Sequence, residues 1–294
     1  MRLITWNTQW CCGLDGVVSP ERIVQTLAAM GESDVICLQE VAIHYPQLQG
    51  NPQDQLAQLQ ALLPDWKLVF GAAVQEWTPA GHQQFGNVIA TRLPLLQVQH
   101  YPLPYPSDDN VCSMPRMATV ATVQDPQLGP VRVITTHLEY HSKLQRMAQA
   151  RYLRRMHFEA LAQVFSPPPA VQDGSPYQTK PHTEHAVLCG DFNMEPHELE
   201  YAALRSPAAV IECLEAGWPE RVVGAAWNDA WHVLHGSTPQ PPTFRLFDRQ
   251  FGPDPGACDF VWISDSLRSH VRSFEIDSQT QASDHQPVRV VIGA

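Results

Sequence analysis

Short apolar runs recur along the whole chain, at residues 2–6, 35–39, 68–74, 87–90, 118–123, 131–136, 186–189, 260–263 and 288–292. Runs of this length, rich in branched and aromatic side chains and bounded by turn formers, read as strands. So many strands must be paired and covered on both faces, which restricts the chain to a layered sheet architecture. Helical patterns lie between some of them. Ser19-Pro20-Glu21 supplies an N-cap and a first-turn proline, followed by Ile23, Val24 and Leu27 at helical spacing. Residues 54–63 and 141–165 are the other clear helices, the second long and arginine-rich on one side. Two irregular stretches, 166–184 with Pro167-Pro168-Pro169 and 235–257 with five prolines, have strands on both sides. They read as surface loops within one domain spanning 1–294 rather than as linkers. Alternating and consecutive strands with intervening helices predict a layered α/β fold, with much of its sheet antiparallel and helices outside.

At 294 residues, with 44% hydrophobic and 17% charged residues, the chain can bury a large core and is not disordered. Its longest apolar stretches are shorter than ten residues. The opening Leu3-Ile4-Thr5-Trp6 lacks the basic and long apolar regions of a signal peptide, so a cytoplasmic protein without stable membrane insertion is expected. Seven cysteines, an odd number with no Cys-x-x-Cys pair, argue against a disulfide framework or a structural zinc site. Cys37 and Cys189 sit inside apolar runs and read as core residues. A net charge of −11 with only Lys67, Lys143 and Lys180 counts against a protein that grips long nucleic acid by neutralising phosphates. A cleft of carboxylates holding a cation would itself push the charge negative.

The chemistry sits where apolar runs end. Ala186-Val187-Leu188-Cys189-Gly190 delivers Asp191 and Asn193, two residues apart and therefore on one side of a strand, with Phe192 on the other. Asn7 ends the first run, Gln39 and Glu40 the second, and His137 and Glu139 another; Asp259 opens the run through Ile263, and Ser283-Asp284-His285 precedes the last. Each alone has an ordinary explanation as a turn, a cap, a solvated strand end or a buried histidine. Together they place amides, carboxylates and imidazoles at successive strand ends, where site residues sit on a rigid scaffold.

In order, Ile4-Thr5-Trp6-Asn7, Cys37-Leu38-Gln39-Glu40, Gly86-Asn87-Val88-Ile89, Thr136-His137-Leu138, Gly190-Asp191-Phe192-Asn193, Cys258-Asp259-Phe260 and Ser283-Asp284-His285 resemble the successive signatures of the endonuclease/exonuclease/phosphatase superfamily. The resemblance runs from residue 2 to about 292. It implies a DNase I-like four-layer α/β sandwich of two packed, mainly antiparallel β-sheets flanked by helices, and hydrolysis of phosphate esters with Mg2+ or Mn2+. By that resemblance Glu40 is the primary metal ligand, with Asn7 and Asp284 completing the metal environment, partly through water. His285 contacts the scissile phosphate and Asp259 orients it. Asp191 orients or deprotonates the attacking water, or protonates the leaving oxygen. Asn193 bonds the phosphate or the nucleophile, and His137 is a second imidazole at the phosphate or leaving group. Arg116 and Asn87 are candidate substrate-binding residues. Arg146 and Gln149 fall three apart, on one helix face, and there the resemblance implies a buried structural pairing more than catalysis.

His137 and Phe192 point away from the repair endonucleases, and Phe260 stands where the inositol phosphatases carry arginine. The aromatic residues Trp227, Trp231, Phe244, Phe247 and Phe251 read as core or as a substrate wall rather than a membrane wedge. The implied partner is a phosphate-ester substrate, either nucleic acid or a small or lipid phosphate, with no protein partner predicted. A non-catalytic binding module on the same fold is the alternative of a different kind.

Overall fold

Side chains alternate between the two faces of a strand, and the strands of this chain are apolar on both. In a computed structural model, which describes residues 1–79, 81–109 and 111–293, that double burial is achieved by two sheets packed face to face, each with helices on its outer side. In chain order the elements begin with strand Arg2–Asn7 (β1), helix Pro20–Ala29 (α1), strand Val35–Ile43 (β2) and helix Gln55–Leu62 (α2). Strands Lys67–Thr78 (β3), Gly81–Thr91 (β4), Leu95–Pro102 (β5), Met117–Asp125 (β6) and Gly129–His137 (β7) follow. Helix Lys143–Phe165 (α3), strand Ala186–Asp191 (β8) and helices Leu199–Arg205 (α4) and Val210–Ala216 (α5) come next. Strand Trp227–Asp229 (β9), helix Ala230–His235 (α6) and strands Asp259–Ser264 (β10), Val271–Ile276 (β11) and Val288–Ile292 (β12) complete the order.

The sheet orders are β11-β12-β1-β2-β4-β3 and β5-β6-β7-β8-β10-β9. Each holds one parallel pair, β1 with β2 and β7 with β8, and its other pairs are antiparallel. A parallel pair needs a crossover, which α1 supplies in the first sheet and α3 with the loop after it in the second. Both crossover helices start at a serine cap: Ser19, as read from the sequence, accepts from the Arg22 N–H, and Ser142 accepts from the Gln145 N–H.

Alternation sorts the core into layers. Leu3, Val35, Cys37, Val131, Val133, Val187, Cys189, Val261 and Ile263 meet between the sheets. Ile4, Trp6, Ile36 and Leu38 face α1 and α2. Ile134, Leu188, Phe260 and Trp262 face the α3 and α4 side. The two-sheet sandwich implied by the resemblance is therefore the one observed, and the expected core positions of Cys37 and Cys189 hold. All seven cysteines are free.

Strands β5, β9 and β11 and helices α4, α5 and α6 lie outside the apolar runs read from the sequence. The reason is visible in β5, an edge strand with alternating half-buried and exposed residues, which never forms a continuous apolar stretch. The two proline-rich stretches carry no helix or strand beyond the end of α6 and isolated bridges at Phe244. Among the described residues no helix is long and apolar enough to cross a membrane.

Gly190, in register with Thr136 across the parallel pair, has φ +139°, and a Cβ there would sit 1.9 Å from the Thr136 carbonyl oxygen. Any side chain at this position would force β8 away from β7 just before Asp191. Gly190→Ala is therefore expected to cost about 2–4 kcal/mol of stability, measured as a lower urea midpoint at unchanged m-value. Wild-type stability in that variant would show that the two strands are free to separate here.

Candidate active site

The same alternation that builds the inter-sheet core carries polar residues to its edge. Asn7 continues the inward positions Leu3 and Thr5, His137 continues Val131 and Val133, and Asp191 continues Val187 and Cys189. Asp259 stands beside Asp191 in the β8–β10 ladder. The C-terminal ends of both parallel pairs thus open on one cleft, one pair from each sheet. Below it, buried Gln39 donates to Thr5 Oγ1 at 3.1 Å in its own sheet and to Thr135 Oγ1 at 2.9 Å in the other.

Glu40 has the opposite parity, and strict alternation would turn it toward α1 and α2. A β-bulge changes this. Gln39 and Glu40 together oppose the single residue Asn87 on β4, and Glu40 takes φ +60°, a left-handed conformation that is rare without glycine. Its carboxylate reaches the cleft, where Asn7 Nδ2 lies 3.1 Å from Oε1 and His137 Nδ1 lies 3.8 Å away.

Asp191 stands at the centre. Its Oδ2 accepts from Asn7 Nδ2 at 2.9 Å and lies 3.4 Å from His137 Nε2 and 3.6 Å from His285 Nε2. Oδ1 accepts from the Asn193 backbone N–H at 2.8 Å, which holds Asn193 at φ +48°. From there the Asn193 amide meets His137 Nε2 at 3.0 Å and donates to the Leu138 carbonyl at 2.9 Å. His285 Nδ1 lies 2.9 Å from Asp259 Oδ2, which also accepts from Thr243 Oγ1 at 2.6 Å. Trp6 Nε1 donates to the His285 carbonyl, and Ser283 Oγ donates to the Asn7 carbonyl, which ties the last loop to β1.

These surroundings drive the two imidazoles apart. Burial opposes a charge on His285, but the Asp259 and Asp191 carboxylates outweigh it and hold His285 well above the usual imidazole range. Burial, with the charges of Arg116 and His285 nearby, holds His137 well below it. Burial and repulsion from Asp284 push the Glu40 carboxyl up to about 7. Burial likewise raises Asp284, with Asp191 adding repulsion. Carboxyls raised by desolvation and mutual repulsion form a hard-oxygen donor set whose cost a divalent cation would relieve, so Glu40, Asp284 and the Asn7 amide fit such an ion. Asp191, Cys258 and His285 also bring ligand atoms within 4.8 Å of one another. That triad fits a cation less well, because burial and the Asp259 charge keep the Cys258 thiol protonated and His285 is held as a cation.

Seven of the ten residues singled out from the sequence are joined by these contacts, and Asp284 joins through its charge. Arg116 and Asn87 line, together with His137, a cavity of about 10 Å³. Arg116 is buried, with Nε 3.1 Å from Glu139 Oε2 and Nη1 without a partner among the described residues. Asn87 donates to the Met117 carbonyl at 3.4 Å. Arg146 and Gln149, expected from the resemblance to form a buried pairing, are both buried and meet at Glu139: Arg146 donates to the Glu139 and Tyr140 carbonyls, and Gln149 accepts from the Glu139 N–H.

Thr243 escaped the sequence reading, and Phe244 was read there only as core or wall. Phe244 forms a bridge to His285 and stacks on its ring at 4.3 Å and 20°. Phe251 stacks on Phe244 in turn and meets Tyr140 edge-on, so a ring wall runs outward from the imidazole. Thr243-Phe244 sits between proline turns, and no periodicity marks it. Trp227 is buried core, and Trp231 packs on Phe274.

No curated protein matches the chain by sequence. Among solved structures it is similar to the mannosyl-6-phosphatase of Bacteroides thetaiotaomicron VPI-5482, at 16% identity and a TM-score of 0.64, over 100% of each chain. It is also similar to a truncated TDP2 of Caenorhabditis elegans, at 16% identity and a TM-score of 0.62, over 100% of this chain and 97% of that one. The catalytic domain of human Nocturnin with a bound sulfate anion follows at 18% identity and a TM-score of 0.59, over 99% and 92%. These likenesses concern the fold. The sequence pattern of the Endonuclease/Exonuclease/phosphatase family matches residues 4–285, nearly the whole length, and the chain belongs to that family.

Proposed function

We propose that the chain, read as one domain over 1–294, is a Mg2+- or Mn2+-dependent phosphoesterase with a preference for phosphodiesters. The observation that carries this reading is the convergence on Asp191 Oδ2 of Asn7 from one sheet with His137 and His285. Glu40, Asp284 and Asn7 would hold the cation, which when bound offsets charge on the phosphoryl oxygens. Asp191 accepts N–H groups through both of its oxygens, an arrangement that favours the carboxylate, so it is the group that orients and deprotonates the attacking water. His285, oriented by Asp259 and pressed flat by Phe244, offers its Nε2–H to the phosphate. Asn193 and His137 supply a second set of polar contacts on the other side of Asp191.

Bis(p-nitrophenyl) phosphate is expected to be hydrolysed, with activity lost on chelation and restored by Mg2+ or Mn2+. Glu40→Gln and His285→Ala each lower kcat by about 10²- to 10⁴-fold. Turnover that survives chelation or both substitutions would overturn the reading, and a chain without affinity for either metal would favour a binding module. Thr243 acts through Asp259 as a positioning residue. Thr243→Val is expected to lower kcat about tenfold with KM nearly unchanged, and Thr243→Ser to restore it. A proportional loss of folded protein instead would assign the hydroxyl a structural role.

A small phosphodiester is favoured over long nucleic acid by the net charge of −11 and by the scarcity of lysine, with Lys143 already engaged by Glu198. The affinity of an inactive variant for single- or double-stranded oligonucleotides is expected to vary little with salt. A steep negative slope would instead assign a nuclease.

A further inference from the structure

On the opposite face of the second sheet, far from the cleft, Arg132 points between β7, α3 and the proline-rich loop. It is five residues before His137 on β7 and therefore projects to the other side of the sheet, about 16 Å along the strand. Its Nε and Nη2 are buried, and among the described residues they have no hydrogen-bond partner and no carboxylate pairs with the guanidinium. Glu159, the acidic residue nearest in the lining, is taken up by Arg155 at 2.8 Å. A guanidinium has five N–H donors in a fixed fork, and leaving several of them buried without an acceptor costs stability unless an acceptor arrives.

The space into which Arg132 projects is a cavity of about 660 Å³, within the range of small-molecule sites. Gln99, Gln163 and Lys180 contribute polar groups, while Tyr101, Met156 and Pro168 contribute apolar surface. The loop that covers it is held in place. The Thr179 N–H donates to the Val171 carbonyl and the Val171 N–H to Thr179 Oγ1, while Thr183 Oγ1 donates to the Pro130 carbonyl beside Arg132. A preformed pocket with one buried uncompensated cation, an exposed lysine and ring or alkyl walls suits an anion that carries an apolar body.

We propose that this cavity is a second ligand site, independent of the cleft, that binds a small organic oxyanion through the Arg132 guanidinium. Calorimetric titration of the full chain with benzoate, and in a parallel arm with phenylphosphonate, tests it. One equivalent is expected to bind in a manner weakened about ten- to a hundredfold by Arg132→Gln and unaffected by His285→Ala. Whichever probe binds in this way identifies the head group accepted, carboxylate or phosphonate. Absence of saturable binding of either probe in the millimolar range overturns the site, as does binding that Arg132→Gln leaves intact or His285→Ala removes. If Arg132→Gln does not fold, exposed Lys180 decides. Lys180→Glu is expected to weaken binding about two- to fivefold at low ionic strength and not at high salt, and an unchanged low-salt affinity overturns the proposal.

Discussion

The hydrogen bond from Asn7 Nδ2 to Asp191 Oδ2, 2.9 Å long and fully buried, is the contact on which the two halves of this protein meet. Each partner is the last residue of a strand in a parallel pair, one in each sheet. The bond therefore exists only if both sheets are in register with each other as well as within themselves. Gln39 makes the same link one layer down, to Thr5 in one sheet and Thr135 in the other. Buried amides and hydroxyls satisfied across an interface are costly to misalign, so the pair of bridges favours one relative position of the sheets over its slipped alternatives. The positions of His137, Asp259 and His285 depend on that alignment.

Strain is concentrated at the same edge. Glu40 and Asn193 both occupy left-handed backbone, and Gly190 allows an approach that no side chain would permit. Each departure from regular strand geometry turns a polar group into the cleft, and each is held by the hydrogen bonds made there. The large inter-sheet core, which takes residues from Met1 to Ile292, stabilises the frame against these local costs.

Electrostatics follows from the same arrangement. Two buried imidazoles beside Asp191 are pushed in opposite directions, because Asp259 and Asp191 together outweigh burial at His285, whereas at His137 burial, joined by the charges of Arg116 and His285, outweighs Asp191. Charge is unevenly compensated elsewhere too. Arg146 is surrounded by carbonyls and the carboxylates of Glu198 and Glu200, whereas Arg132, on the other face of the sheet, has buried Nε and Nη2 groups that find no acceptor among the described residues. Neither contrast is visible in the composition, where these are simply histidines and arginines of an acidic chain.

Alternation, caps and the order of polar residues at run ends were legible in the sequence, because they are set by neighbours along the chain. A residue's parity on a strand decides its face, so Asn7, His137, Asp191 and Asp259 belong together once the strands are recognised, and Ser19 caps its helix whatever packs against it. Parity alone would have sent Glu40 the wrong way; its place at the end of an apolar run and its resemblance to a family motif marked it, and only the bulge against Asn87 explains how it arrives. The half-polar edge strand β5 was missed for a related reason, since its burial is one-sided. Thr243 and Phe244 reach His285 from a proline-rich loop with no period to read, and Arg132 is buried between β7, α3 and the other proline-rich loop with its Nε and Nη2 unmatched among the described residues. Those outcomes were decided in three dimensions, because each depends on which distant group is near enough to donate, accept or repel.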